Sequence, residues 1–140
     1  MASKPTRVQE LMTREVATLQ RGDKLSLADN VMQLGRIRHM VVVDEAGGLA
    51  GIVSQRDLFR GALVKALGYG KVAQKKVMEA ILVKEVMSSE LLTTTPDALL
   101  SEAARVMSER KIGCLPVVED GKLVGILTEG DFVAFFARAG

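Results

Sequence analysis

The sequence predicts a mixed α/β (α+β) protein made of two tandem copies of one motif, each a small β-sheet with flanking helices. Three observations carry that expectation. The chain repeats itself at a nearly constant offset, each copy holds two aliphatic runs around a glycine-containing turn, and each copy shows helical patterning on both sides of those runs.

The repeat organises the rest. Val8-Gln9-Glu10-Leu11-Met12-Thr13 falls over Val83-Lys84-Glu85-Val86-Met87-Ser88, an offset of 75 residues. In that register Thr18 meets Thr93, Leu25-Ser26 meets Leu100-Ser101, Ala28 meets Ala103, Val31-Met32 meets Val106-Met107 and Ile37 meets Ile112. One extra residue near Ala46 reduces the offset to 74, after which Gly47, Leu49, Gly51-Ile52 and Asp57 meet Gly121, Leu123, Gly125-Ile126 and Asp131. Matches kept in order through both copies indicate duplication. The copies span residues 8–60 and 83–137, and residues 61–82 connect them.

Within each copy the elements follow in order. Residues 16–19 and 91–94 are short strand candidates rich in Thr and aliphatic side chains. Leu25, Ala28, Val31 and Met32 share one helical face, as do Leu100, Ala103, Val106 and Met107, with Gly22-Asp23 and Pro96-Asp97 as helix starts. Residues 40–43 with 49–53, and 115–118 with 123–127, read as hairpins. Ser54 and Thr128 then open second helices. The connector is rich in helix formers, with Gly68 and Gly70 as a break after Leu67 and an apolar stripe of Val72, Val77, Ile81 and Leu82. It reads as packed helix, its Lys71, Lys75 and Lys76 as a solvated face.

Bulk properties narrow the function. With 140 residues, 48% hydrophobic and 26% charged, the chain can bury a core that two small halves share. A net charge of +2 from 19 basic and 17 acidic residues argues against a nucleic-acid or membrane surface. Cys114 is the single cysteine, so an internal disulfide and a CxxC metal site are excluded; it reads as a small buried filler. The beginning of the chain lacks the apolar core of a signal peptide and no apolar run is long enough for a bilayer, so a cytoplasmic location is expected.

Each copy resembles the cystathionine-beta-synthase (CBS) domain family. The resemblance rests on the Val-x-x-x-Met opening, on Ile37-Arg38-His39-Met40-Val41-Val42-Val43-Asp44, and on Gly51-Ile52-Val53-Ser54-Gln55-Arg56-Asp57. The second copy supplies Ile112-Gly113-Cys114-Leu115-Pro116-Val117-Val118-Glu119 and Gly125-Ile126-Leu127-Thr128-Glu129-Gly130-Asp131. It implies two motifs related by a pseudo-twofold axis, with two clefts that take AMP, ADP, ATP or S-adenosyl compounds, with or without Mg2+ and with no covalent cofactor. It further implies a homodimer packed helix on helix and a downstream protein that reads occupancy.

Ser54-x-x-Asp57 and Thr128-x-x-Asp131 carry the sharpest chemistry. An ionised carboxylate can accept both hydroxyls of a ribose, and the resemblance assigns that role to Asp57 and Asp131. Ser54 and Thr128, each beside a helix N-terminus, would bond a ribose or phosphate oxygen. The same spacing is also a helix-capping motif, and both roles can coexist. Arg38, His39 and Arg56 are the phosphate candidates, since a guanidinium matches phosphate in shape and charge; Gly113, Cys114 and Gly130 replace them in the second copy. For the adenine slot the resemblance points to Val16, Ala17, Thr18, Ile37 and Met40, with Leu92, Thr93, Ile112 and Pro116.

These features favour a non-catalytic sensing module for adenine nucleotides or S-adenosyl ligands. The alternative is a purely structural dimerisation or scaffolding module with empty clefts. Catalysis finds no support: His39 is the only histidine, and neither a nucleophile elbow, a metal-ligand cluster nor a P-loop occurs.

Overall fold

A computed structural model describes residues 5–66, 76 and 78–139. Its strands and longer helices are β1 (Thr18–Gln20), α1 (Leu25–Gly35), β2 (His39–Val43), β3 (Leu49–Ser54), α2 (Gln55–Ala66), α3 (Leu100–Arg110), β4 (Cys114–Glu119), β5 (Lys122–Thr128) and α4 (Glu129–Ala139). Single 3-10 turns lie at Val8–Glu10 and Val83–Glu85. The mixed α+β architecture expected from the repeat is present. Residues 67–75 and 77 of the connector, including Gly68, Gly70, Val72, Val77, Lys71 and Lys75, lie outside the described residues.

The compact units are not the two sequence copies. One, here unit I, takes residues 17–91; the other, unit II, takes 1–16 together with 92–140. Each copy's opening segment therefore joins the strands and helices of the other copy. Val83 has no exposed surface and packs with Leu19, Leu25, Met32, Met40 and Val53 of unit I. Val8, equally buried, packs with Leu100, Met107, Leu115 and Leu127 of unit II. Burying a Val side chain favours each arrangement by about 1.5–3 kcal/mol.

Hydrogen bonds fix these segments in matching ways. The N–H of Val83 donates to the Asp23 carbonyl at 2.7 Å and that of Leu25 to the Ile81 carbonyl at 3.0 Å; Val8 donates to Ala98 at 3.0 Å and Leu100 to Thr6 at 2.8 Å. A helix leaves its first N–H groups without internal partners. Here a carbonyl of the exchanged segment takes the first of them, and Lys24 and Leu99, at the N-cap positions, provide no side-chain cap. Asp23 and Asp97, expected at the helix starts, act one turn earlier: the Asp23 carboxylate accepts the Gln20 N–H at 2.7 Å and the Asp97 carboxylate accepts the Thr95 hydroxyl at 3.0 Å.

The same segments close the sheet edges. Ser88 and Ile52 exchange backbone bonds of 2.8 and 3.0 Å, and Thr13 and Ile126 exchange two of 2.9 Å. Glycine is required opposite them. A Cβ on Gly51 would stand 2.7 Å from Met87 Sδ and 2.9 Å from the Ser88 carbonyl, and one on Gly125 would stand 2.9 Å from both Met12 Sδ and the Thr13 carbonyl. The Val-x-x-x-Met opening of one copy and the Gly-Ile strand of the other are thus a packed pair.

The sheets differ. In unit I the order is β1-β2-β3, with β1 parallel to β2; in unit II β4 and β5 form a two-stranded sheet, and residues 91–94 contribute only a parallel bridge from Thr94 to Val117. The strand expected there is not formed, for a covalent reason. Val41 donates its N–H to the Ala17 carbonyl at 3.3 Å, whereas Pro116, at the equivalent place, has no N–H to give Leu92. Pro96 ends the segment on its other side. In the first copy the expected strand over 16–19 is shifted to Thr18–Gln20.

Both hairpins form. Asp120 and Gly121, with φ of 52° and 78°, make the tight turn of the second, as a two-residue connection between twisted strands requires. The longer first turn is held by Asp44, whose carboxylate accepts the N–H groups of Ala46 at 3.0 Å and Gly48 at 2.7 Å.

Candidate functional site

Each Ser/Thr-x-x-Asp string sits where the outer strand of a hairpin runs directly into a helix. Ser54 ends β3 and Gln55 begins α2; Thr128 ends β5 and Glu129 begins α4. In unit I the Ser54 N–H donates to Asp57 Oδ2 at 2.9 Å, while the Asp57 N–H donates to Ser54 Oγ at 3.0 Å. In unit II the Thr128 N–H and hydroxyl donate to Asp131 Oδ2 at 2.8 and 3.2 Å, and the Asp131 N–H donates to Thr128 Oγ1 at 3.3 Å. These are reciprocal capping boxes, so the helix-capping role is realised in both copies. They also hold a half-buried carboxylate in one orientation at the open end of a strand–helix corner.

The remaining carboxylate oxygens are not alike. Asp131 Oδ1 accepts the hydroxyl of Thr13 at 2.7 Å. Among the described residues Asp57 Oδ1 accepts no hydrogen bond, although Ser88 occupies the place equivalent to Thr13. The sequence reading passed over Thr13. The signal was there, since the repeat aligns it with another hydroxyl residue directly after the conserved-spacing Met of each copy.

Around Asp57 the register gathers most of the named candidates at one end of the unit I sheet, where β1 and β2 begin and β3 ends. Thr18 pairs with Val41 and His39 pairs with Ser54. The Arg38 carbonyl accepts the Gln55 N–H at 2.8 Å, joining the start of β2 to the start of α2. Arg38 and Arg56 are exposed and His39 is half-buried. Arg38 and Ile37 also line a cavity of about 310 Å3 with Met32, Gln33, Arg36 and Gln55. Arg36, which ends α1 in the left-handed conformation, is an addition to the basic residues singled out from sequence.

Unit II repeats the geometry with different chemistry. The Gly113 carbonyl accepts the Glu129 N–H at 3.0 Å, the counterpart of the Arg38–Gln55 bond. The equivalent cavity, about 240 Å3, is lined by Ala104, Met107, Ser108, Ile112, Glu129 and Phe132. Gly113 thus stands at the place of Arg38 and Glu129 at that of Gln55, while Lys111, which ends α3 in the left-handed conformation, keeps a basic residue at the place of Arg36.

The adenine-slot candidates divide between the two units. Ala17 and Thr18 belong to unit I with Ile37 and Met40, whereas Val16 falls on the other side of the boundary with Leu92, Thr93, Ile112 and Pro116. Met40 is 1% exposed and lies in the unit I core; Pro116 is buried within β4. Ile37 and Ile112 are half-buried, and Thr18, Leu92 and Thr93 are exposed. Among the described residues no cluster of three or more His, Cys, Asp or Glu is arranged to hold a metal ion, and no helix is long and apolar enough to cross a membrane.

The CBS domain family model matches residues 8–63 and again 83–138. A Vibrio cholerae protein described as an acetoin utilization protein (AcuB) is 37% identical, with a TM-score of 0.78 over 95% of this chain and 91% of that one. The CBS domain pair of MJ0100, solved in complex with 5-methylthioadenosine and S-adenosyl-L-methionine, is 27% identical, with a TM-score of 0.76 over 96% and 98% of the two chains. CBSX2 in complex with AMP is 28% identical, with a TM-score of 0.75 over the same shares. The chain spans about a quarter to a third of the length of the first curated relatives it matches, some of which are named homoserine O-acetyltransferases.

Proposed function

The chain belongs to the CBS-domain family, and from that premise we propose that it is a regulatory module binding an adenosine-containing ligand, AMP, ADP, ATP or an S-adenosyl compound, rather than an enzyme. Tandem CBS domains are generally regulatory modules. The observation that carries the reading is the duplicated corner in which a half-buried carboxylate, fixed by its own helix cap, stands at the start of a helix. Asp57 and Asp131 accept the ribose hydroxyls, and Ser54 and Thr128 hold those carboxylates in place. The solved relatives bound to AMP and to S-adenosyl-L-methionine support this choice of ligand class.

Phosphate favours the Asp57 corner. Arg38 and Arg56 are exposed beside it, His39 opens the neighbouring strand, and Arg36 lines the same cavity as Arg38. The Asp131 corner, next to Glu129 and an apolar cavity, suits an uncharged adenosyl group. Two such modules pair as a homodimer through exposed apolar helix surface, with Phe59 68% and Phe136 69% exposed. Leu58, the neighbour of Phe59 on α2, is 2% exposed and belongs to the unit I core instead of this surface. Light scattering at micromolar concentration is expected to give twice the 15.1 kDa chain mass; the single-chain mass would refute the dimer.

The capping boxes also support the second reading, a structural module whose Asp residues serve only their helices. A melting-temperature screen against AMP, ADP, ATP and S-adenosylmethionine separates the two. A ligand bound only by the folded chain raises stability by about 2.7 kcal/mol at a hundred times its Kd. No shift with any of the four at millimolar concentration leaves the structural reading in place.

A further inference from the structure

We propose that Thr13 is a specificity-determining positioning residue, occupying the carboxylate oxygen through which Asp131 would take a ligand diol. The inference rests on the ribose role given to Asp131 above and concerns a residue outside the Ser/Thr-x-x-Asp strings. An ionised carboxylate offers about four lone-pair directions. At Asp131, Oδ2 accepts both the N–H and the hydroxyl of Thr128, and Oδ1 accepts the Thr13 hydroxyl at the short distance of 2.7 Å. One direction is left, on Oδ1. At Asp57, among the described residues, Oδ2 accepts the Ser54 N–H at 2.9 Å and Oδ1 accepts no hydrogen bond, so that Oδ1 is open to them and Oδ2 half open.

A vicinal diol donates two hydrogen bonds. Asp57 can accept both without rearrangement. Asp131 accepts both only if the Thr13 hydroxyl turns away, and binding there exchanges an internal hydrogen bond for a ligand one. Thr13 is well placed for this role because its backbone is pinned to Ile126 by two bonds of 2.9 Å, which hold its side chain over the corner whether or not the carboxylate is occupied. Releasing its hydroxyl also changes what the opening segment contacts, so occupancy of this corner is felt in residues 7–13, the part of unit II contributed from the other copy. Among the described residues the bond from Thr13 to Asp131 has no counterpart from Ser88 to Asp57.

The test uses the full chain carrying Asp57→Asn, which leaves Asp131 as the one intact ribose carboxylate, titrated calorimetrically with adenosine and with 2′-deoxyadenosine. Adding Thr13→Val removes the hydroxyl while keeping the side-chain shape. Adenosine affinity is expected to rise about three- to tenfold, the effect of one hydrogen bond no longer displaced. 2′-Deoxyadenosine, which keeps only one hydroxyl of the vicinal diol, is expected to change less than twofold, and Thr13→Ser to restore the parent value. An unchanged or weakened adenosine affinity in Thr13→Val, an equal gain for both nucleosides, or a Thr13→Ser protein that behaves as Thr13→Val overturns the assignment. Should the wild-type chain bind adenosine while neither Asp57→Asn protein does, Asp131 takes no diol and the Thr13 role falls alone. Should the wild-type chain bind neither nucleoside nor any of the four adenine ligands, the functional reading falls and this inference with it.

Discussion

Asp57 and Asp131 occupy the same place in two copies of one corner, and each caps its helix through the same pair of reciprocal bonds. Their surroundings have diverged. The first copy keeps Arg38, His39 and Arg56 near a carboxylate one oxygen of which accepts no hydrogen bond among the described residues; the second has Gly113, Cys114 and Gly130 at those positions, and a threonine engages its carboxylate from outside the motif. The scaffold has kept what each fold unit needs, the cap, the buried valine and the glycine under a methionine. What varies is the charge and hydrogen-bonding capacity at the two corners. Duplication in this chain separates stability, which both copies share, from the chemistry of the corner, in which they differ.

That separation can be broken first where the copies are most alike. Replacing Gly51 or Gly125 by Val drives side-chain atoms into a backbone carbonyl 2.9 Å from the Cβ, and a carbonyl already committed to an edge hydrogen bond cannot retreat. Each substitution is expected to destabilise by about 2–3 kcal/mol, with equal losses for the two within about 1 kcal/mol. Chemical denaturation provides the comparison. A large loss for one and none for the other would show that the exchanged segments do not close the two sheets equivalently.

A smaller effect sharpens the difference between the corners. Asp57→Ala removes one cap and is expected to cost about 1 kcal/mol without ligand, whereas Asp131→Ala also releases the hydroxyls of Thr13 and Thr128 and is expected to cost about 2 kcal/mol. Melting of the two unliganded variants measures it; the reverse order would count against the additional bonds at Asp131.

The smallest expected effect is electrostatic. Glu10, at the end of the first opening turn, accepts the N–H groups of Arg7 and Thr6, each at 2.7 Å, which hold its carboxyl below the ordinary value of 4.5. A carboxyl lowered on folding contributes stability that is complete above its unfolded value and lost as the pH falls through its folded one. Glu10→Gln should therefore melt slightly below the wild type near pH 7, with the difference shrinking as the pH falls from about 4.5 through the lowered folded value. A difference that persists unchanged at pH 3 would assign it to packing instead of charge.

Much of this was legible in the sequence because repetition marks it twice. Aliphatic runs around Gly-bearing turns located both hairpins, and the shared apolar faces located α1 and α3. Local reading fails where a distant segment decides the outcome. The opening Val-x-x-x-Met strings were readable as equivalents, but nothing local in Val8 or Val83 says that each is buried in the other copy's unit. The strand expected over 91–94 has suitable side chains and lacks a partner donor, because Pro116 lies more than twenty positions away. The candidate site divides in the same way. Asp57 and Asp131 were found from their own motifs, and Thr13 was not, since its partner is 118 positions along the chain.

The central claim is that these carboxylates serve a ligand as well as a helix. Its most direct test is calorimetry of AMP binding to the full chain and to Asp57→Asn, a substitution that keeps an oxygen for the Ser54 N–H and removes the charge. The account predicts saturable binding to the wild type and at least a tenfold loss in Asp57→Asn, corresponding to a charge-assisted bond worth about 1.5–3 kcal/mol, with the unliganded melting temperature changed little. Undiminished AMP affinity in a folded Asp57→Asn protein would contradict it.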